Sequence, residues 1–115
     1  MKTDLVIFCA AWCGVCRDLN KIWLTQPNNL NIQMYWVDID DYADQLEEIE
    51  FESFPYIATF KNKKLSFFGT ALPNIAVIKK IAHQTQCAEL DLQHQSVLEN
   101  LLQLLMRPIN NKNPL

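Results

Sequence analysis

The sequence predicts an α/β fold: a mixed four-stranded sheet flanked by helices in the order βαβαββα, with one further helix towards the C-terminus. Three observations predict it. Short, partly β-branched apolar runs alternate with stretches of helical periodicity through the first half of the chain. Strand, helix, strand connections of that length imply a parallel pair. The stretch "PYIATFKNKKLSFF" (55–68) gives two runs around Asn62-Lys63, a tight hairpin that adds an antiparallel half although the glycine favoured in such turns is missing.

The elements follow in order. "DLVIF" (4–8) is short and continuously apolar, the pattern of a strand buried on both faces. "CGVCRDLNKIWLTQ" (13–26) places Val15, Leu19, Ile22 and Trp23 at helical spacing, and Pro27 marks its end. "NIQMYWVDI" (31–39) reads as the second strand. "DDYADQLEEIE" (40–50) reads as a second helix, with Tyr42, Leu46 and Ile49 along one face and Asp40, Asp41 and Asp44 at the positive helix end. After the hairpin, a third helix is expected from about Pro73, carrying Ile75, Val77, Ile78 and Ile81.

The remaining sequence divides the chain into a domain over 1–86, an extension over 87–108 and a frayed tail over 109–115. In the extension, Ser96 and Glu99 have capping-box spacing at the start of "SVLENLLQLLMRP", and Pro108 provides a stop. Its many leucines must be buried. Packing on its own sheet leaves a monomer; an interface through this helix makes a homodimer.

Composition excludes several classes. At 115 residues the chain has room for one core. Ten basic against thirteen acidic residues give a net charge of −3 with no basic stripe, so nucleic acid is not an expected partner. The longest apolar stretch, Leu5 to Cys13, is far short of the ~20 residues of a membrane span. The shortness of that stretch, Asp4 ahead of it, and the disordered end on which cleavage would leave the cysteine motif argue against a signal peptide, so an unprocessed cytoplasmic protein is expected.

The chemistry centres on cysteine. Cys9, Cys13 and Cys16 are crowded into eight residues, with Cys87 far behind, and loops that small would staple little. Cys13 falls where a buried strand turns into a helix, at the end where unpaired N–H groups and the helix dipole favour a thiolate. It is the expected nucleophile. Cys16, one turn inside and more shielded, is the expected resolving thiol, giving a Cys13–Cys16 couple that needs neither metal nor organic cofactor. Gly14 is expected to permit a tight turn and substrate approach, and Val15 to leave the loop less rigid than a proline would.

At this point the sequence resembles the thioredoxin family. "WCGVC" (12–16) differs at one position from that family's Trp-Cys-Gly-Pro-Cys, "SFPYIATF" (53–60) stands where the family has a cis-proline entering its third core strand, and "FKN" and "GTAL" (69–72) follow the same course. The resemblance covers about residues 4–84. It implies a thioredoxin fold and a thiol-disulfide oxidoreductase acting on protein disulfides, recharged by an NADPH-dependent thioredoxin reductase. It implies a cis Phe54–Pro55 bond, with Pro55 crowding any metal away from the thiols. It further implies an apolar docking surface made by Trp12, Val15, Phe54 and Ala71, with the backbone of Phe54 beside the cysteines for an extended substrate.

The sequence also departs from the family. Only three residues precede "DLVIF", so the shorter, glutaredoxin-like core is expected. Ile7 stands where the family commonly buries an aspartate, and Trp36 where that aspartate's lysine partner lies, which predicts slow resolution by Cys16 because an apolar surround disfavours a thiolate. Cys9 replaces a usual tryptophan. It is expected to be a packing cysteine, the sharper alternative being a third redox thiol beneath the active site. Two other readings remain: zinc held by Cys13, Cys16, His83, Cys87 or His94, which is not expected, and a non-enzymatic adaptor using the apolar groove and C-terminal helix, against which the intact cysteine pair argues.

Overall fold

The computed structural model describes residues 3–25, 31–83 and 92–106. Within them run β1 (Thr3–Cys9), α1 (Gly14–Leu24), β2 (Ile32–Asp38), β3 (Tyr56–Lys61), β4 (Lys64–Thr70), α2 (Ile75–Ala82) and α3 (Leu92–Leu105). The strands form one sheet in the order β2-β1-β3-β4. β1 and β2 are parallel, whereas β1 with β3 and β3 with β4 are antiparallel, so the expected mixed sheet is present.

Alternation along β1 divides the core in two. Leu5, Ile7 and Cys9 join a cluster with Cys16 and Leu19 of α1 and Ile78 and Ala82 of α2. Val6 and Phe8 point the other way, into a cluster with Leu46, Ile49 and the α3 residues Leu98, Leu101 and Leu102. Both faces of the sheet are therefore covered, which is why "DLVIF" carries no polar alternation. Each such side chain contributes ~1.5–3 kcal/mol on full burial. α3 places its central leucines against its own sheet, and Glu99 accepts a hydrogen bond from the Leu65 amide of β4 at 2.8 Å.

The hairpin between β3 and β4 turns on Asn62 (φ 54°) and Lys63 (φ 68°), both left-handed, as a two-residue hairpin loop demands. Lys61 fastens the neighbouring elements: its Nζ donates to Thr3 Oγ1 at 2.7 Å and to the Ala82 carbonyl at 2.8 Å, satisfying the C-terminal end of α2. The other end is capped by Asn74, whose side chain accepts from the amides of Ala76 and Val77.

Three elements differ from the sequence expectation. Residues 40–48 form a succession of turns rather than a helix. The Asp38 carboxylate accepts the Asp40 amide at 2.9 Å, diverting the backbone at the start, and Asp40, Asp44 and Glu48 would repel at helical spacing. Leu46 and Ile49 are nonetheless buried. α3 begins at Leu92, so Ser96 lies inside it and Glu99 serves Leu65 and Gln95 instead of a capping box. On α1 the buried seam is Cys16, Leu19 and, in part, Trp23; Val15 and Ile22 are exposed.

Candidate active site

β1 ends at Cys9, and the chain crosses to α1 through a turn closed by the Cys13 amide donating to the Ala10 carbonyl at 3.0 Å. Cys13 is the N-cap of α1, in extended conformation, and its carbonyl accepts the Arg17 amide at 3.1 Å to start the helix. No acidic side chain occupies the first turn of α1. Cys13 is partly exposed and is a free thiol.

The cysteine pairing is not the one the sequence suggests. Cys16 is bonded to Cys9, with Cα atoms 5.7 Å apart. Cys9 is buried, as a packing cysteine would be, but it is not merely packing. The reason lies in the alternation of β1: Cys9 follows Leu5 and Ile7 onto the face that α1 covers, and Cys16 is the first residue of the buried seam of that helix. Cys13, at the cap, projects from the same cluster's edge.

Around Cys13 the structure gathers the distant segments. The Phe54–Pro55 peptide is cis, as the resemblance implies. The Pro55 carbonyl accepts the Ala71 amide at 3.1 Å, and Cys13, Phe54 and Ala71 pack on one cluster. Trp12 is 66% exposed and meets the Phe54 ring edge-on at 5.7 Å, while Phe54 stacks on Phe51 at 6.0 Å. Val15 is 46% exposed. The result is an apolar rim with the Cys13 thiol at its edge.

Gly14 behaves differently from the expectation of a forced turn. Its φ is not positive, and a Cβ there would meet only the Arg17 guanidinium at 3.7 Å, an ordinary contact. What the missing side chain leaves is accessible backbone beside Cys13.

Sequence reasoning passed over Arg17 and Asp38. Arg17 reaches back to donate from its guanidinium to the Ala11 carbonyl at 2.8 Å, so a cation lies over the cysteine turn. Its position four residues after Cys13, one helical turn on, was the available signal. Asp38 pairs with Cys9 in the parallel register. It shares with Cys9, Cys16, Arg17, Asn20 and Trp36 the lining of a cleft of about 250 Å³.

The histidines lie elsewhere. His83 is the exposed C-cap of α2, and His94 on α3 packs against Phe68 at 6.3 Å. Cys87 lies outside the described residues. Among the described residues, no group of three or more His, Cys, Asp or Glu is placed to hold a metal ion, and no helix is long and apolar enough to cross a membrane.

The family model described as Thioredoxin matches residues 1–84. The chain belongs to the thioredoxin family. Thioredoxin relatives include the chloroplastic thioredoxin M3 of Oryza sativa subsp. japonica, 33% identical over 81 residues, which are 67% of this chain and 46% of that protein. A protein disulfide-isomerase of Drosophila melanogaster is 37% identical over 71 residues, 57% of this chain and 14% of that protein. The chain therefore spans less than half the length of these relatives. Among solved structures, Fasciola hepatica thioredoxin superposes with a TM-score of 0.58 at 20% identity, covering 70% of this chain and 78% of that one. A mutant thioredoxin of Halobacterium salinarum gives 0.60 at 17% identity, covering 77% and 78%. These likenesses establish the thioredoxin fold.

Proposed function

We propose that the protein is a thiol-disulfide oxidoreductase in which Cys13 attacks protein disulfides and Cys16 resolves the product. One observation carries this reading: a free, partly exposed thiol at the N-cap of a helix, set in an apolar rim beside the cis Phe54–Pro55 peptide. The Cys13 thiolate attacks one sulfur of a substrate disulfide and expels the other as a thiolate, which takes up a proton. In the reduced form, with the Cys9–Cys16 bond opened, Cys16 then attacks the Cys13 sulfur of the mixed disulfide, releasing the second substrate thiol and leaving a Cys13–Cys16 disulfide. Two electrons pass to the substrate, and the dithiol is restored by an external dithiol donor.

The apolar rim of Trp12, Val15, Phe54 and Ala71 suits an extended substrate segment, and the exposed backbone at Gly14 lets it come close. The Arg17 guanidinium lies over the turn that carries Cys13, held on the Ala11 carbonyl. The donor that restores the dithiol is, on this reading, an NADPH-dependent thioredoxin reductase, and the protein works in the cytoplasm, where thiols are kept reduced.

Insulin reduction with dithiothreitol tests the reading. Wild type should accelerate precipitation of the insulin B chain, Cys13→Ser should be no faster than dithiothreitol alone, and Cys16→Ser should trap a mixed disulfide through Cys13. Activity retained in Cys13→Ser would overturn it.

A further inference from the structure

The Cys9–Cys16 bond gives Cys16 two possible partners, one on each side. Cys13 lies outward, at the helix cap and partly exposed; Cys9 lies inward, at the end of β1, and both Cys9 and Cys16 are 2% exposed. Their Cα separation of 5.7 Å falls in the common range for disulfides, so the bond asks for no displacement of β1 or α1. The thiol left over is the one placed to attack substrates.

We propose that oxidation does not stop at Cys13–Cys16: Cys9 attacks the Cys16 sulfur and moves the disulfide inward to Cys9–Cys16, returning Cys13 to the free thiol. This rests on the oxidoreductase reading above and deepens it. The step is an exchange that needs no added oxidant or reductant. The Cys9 thiol loses its proton, its sulfur bonds to Cys16 Sγ, the Cys13–Cys16 bond breaks, and the Cys13 thiolate leaves and is protonated from solvent.

The cleft supplies a path for the first proton. Asp38, beside Cys9 in the β1–β2 register, lines that cleft together with Cys9 and Cys16. Its carboxylate is the acidic group nearest in the register to a sulfur that otherwise sits among Ile7, Leu19 and Ile57. The shifted form is oxidised and still nucleophilic. Its Cys13 can open a second disulfide, but with Cys16 engaged the mixed disulfide persists until the substrate's own thiols resolve it, which is rearrangement rather than reduction.

The position of the bond is read directly. The full-length wild-type protein is reduced, freed of reductant, oxidised with one equivalent of diamide and quenched in acid. Free thiols are then blocked with light N-ethylmaleimide under denaturing conditions, and disulfide thiols are reduced and blocked with the heavy reagent. Trypsin releases Thr3–Arg17, which carries all three cysteines, while Cys87 falls on another peptide. Light label on Cys13 with heavy label on Cys9 and Cys16 in most molecules is the expected result. Light label on Cys9, or a pairing that includes Cys87, overturns the proposal.

A Cys9→Ala variant supplies a second readout: its oxidised form should carry heavy label on Cys13 and lose the native reactivity of that residue towards maleimide. Oxidised Cys9→Ala whose Cys13 stays as reactive as in wild type would also overturn the shift. The two readings fail separately. If the bond is found at Cys13–Cys16 and Cys13→Ser is inactive in the insulin assay, only the shift is lost; if Cys13→Ser is active, the oxidoreductase reading itself is lost.

Discussion

Ile7 of β1 and Trp36 of β2 stand side by side in the parallel register, both in the apolar cluster that holds Cys9 and Cys16. No carboxylate or amine occupies either position, and Ile7 is fully buried. On the proposed mechanism Cys16 must therefore lose its proton with no acceptor at either of these positions, and the apolar side chains that pack around it disfavour its charged form. Ile7→Asp is expected to speed release of the mixed disulfide, towards the lower part of the ~10²–10⁴-fold that a positioned proton acceptor contributes. It should also lower the melting temperature, because a buried carboxylate is costly. Stopped-flow insulin reduction and thermal denaturation measure the two effects. An unchanged release rate in a folded variant would rule out this account.

Glu99 ties the C-terminal helix to the edge of the sheet. Burial alone would raise its carboxyl, but the hydrogen bonds from Leu65 and Gln95 and the nearby Lys64 charge outweigh it, and the group lies below the ordinary carboxylate value. A folded-state value below the unfolded one means that the stabilisation is complete above the unfolded value, near ~4.3, and disappears as the pH falls through the folded value. Glu99→Ala should cost about 1–2 kcal/mol at neutral pH, the loss of a hydrogen bond to a charged acceptor. Urea titrations should show the gap between variant and wild type narrowing below about pH 4.

Lys63 sits at φ 68° in the second position of the hairpin turn, where a glycine would carry no penalty. A side chain in the left-handed region costs ~1–2 kcal/mol, and glycine returns part of that as added freedom of the unfolded chain. Lys63→Gly should therefore stabilise by roughly 0.5–1 kcal/mol. Equilibrium unfolding in urea would register this as a higher midpoint with an unchanged slope, and a lower midpoint would contradict the argument.

Much of this was legible in the sequence where pattern and environment agree. "DLVIF" names a doubly buried strand because it is one, and the resemblance of "SFPYIATF" to the thioredoxin family implied the cis peptide, a form that proline adopts more readily than any other residue. The stretch 40–50 misleads because its apolar spacing is helical while its carboxylates repel at the same spacing; burial of Leu46 and Ile49 survives, the helix does not. The start of α3 was hidden by the polar "LQHQ" that precedes its leucines. The Cys9–Cys16 pairing was hidden differently. Spacing relates Cys13 to Cys16 along one helix, whereas Cys9 reaches Cys16 only through the alternation of β1 and the packing of α1 over it, a relation in space that no local motif records.

Trp12 offers the most direct test of the docking surface. A side chain of that size left 66% exposed, with its ring edge on Phe54, contributes little to the core and has apolar area to bury against a partner. Truncating an aromatic at the centre of a contact commonly costs more than ~1 kcal/mol, roughly a factor of five to ten in affinity. Trp12→Ala should therefore raise KM for insulin by about that factor and leave reduction of a small disulfide, 2-hydroxyethyl disulfide, nearly unchanged, because the small molecule reaches Cys13 without covering the rim. Parallel losses on both substrates would mean that Trp12 acts on the thiol itself or on the turn that carries it, and the rim would then not be the surface on which protein substrates lie.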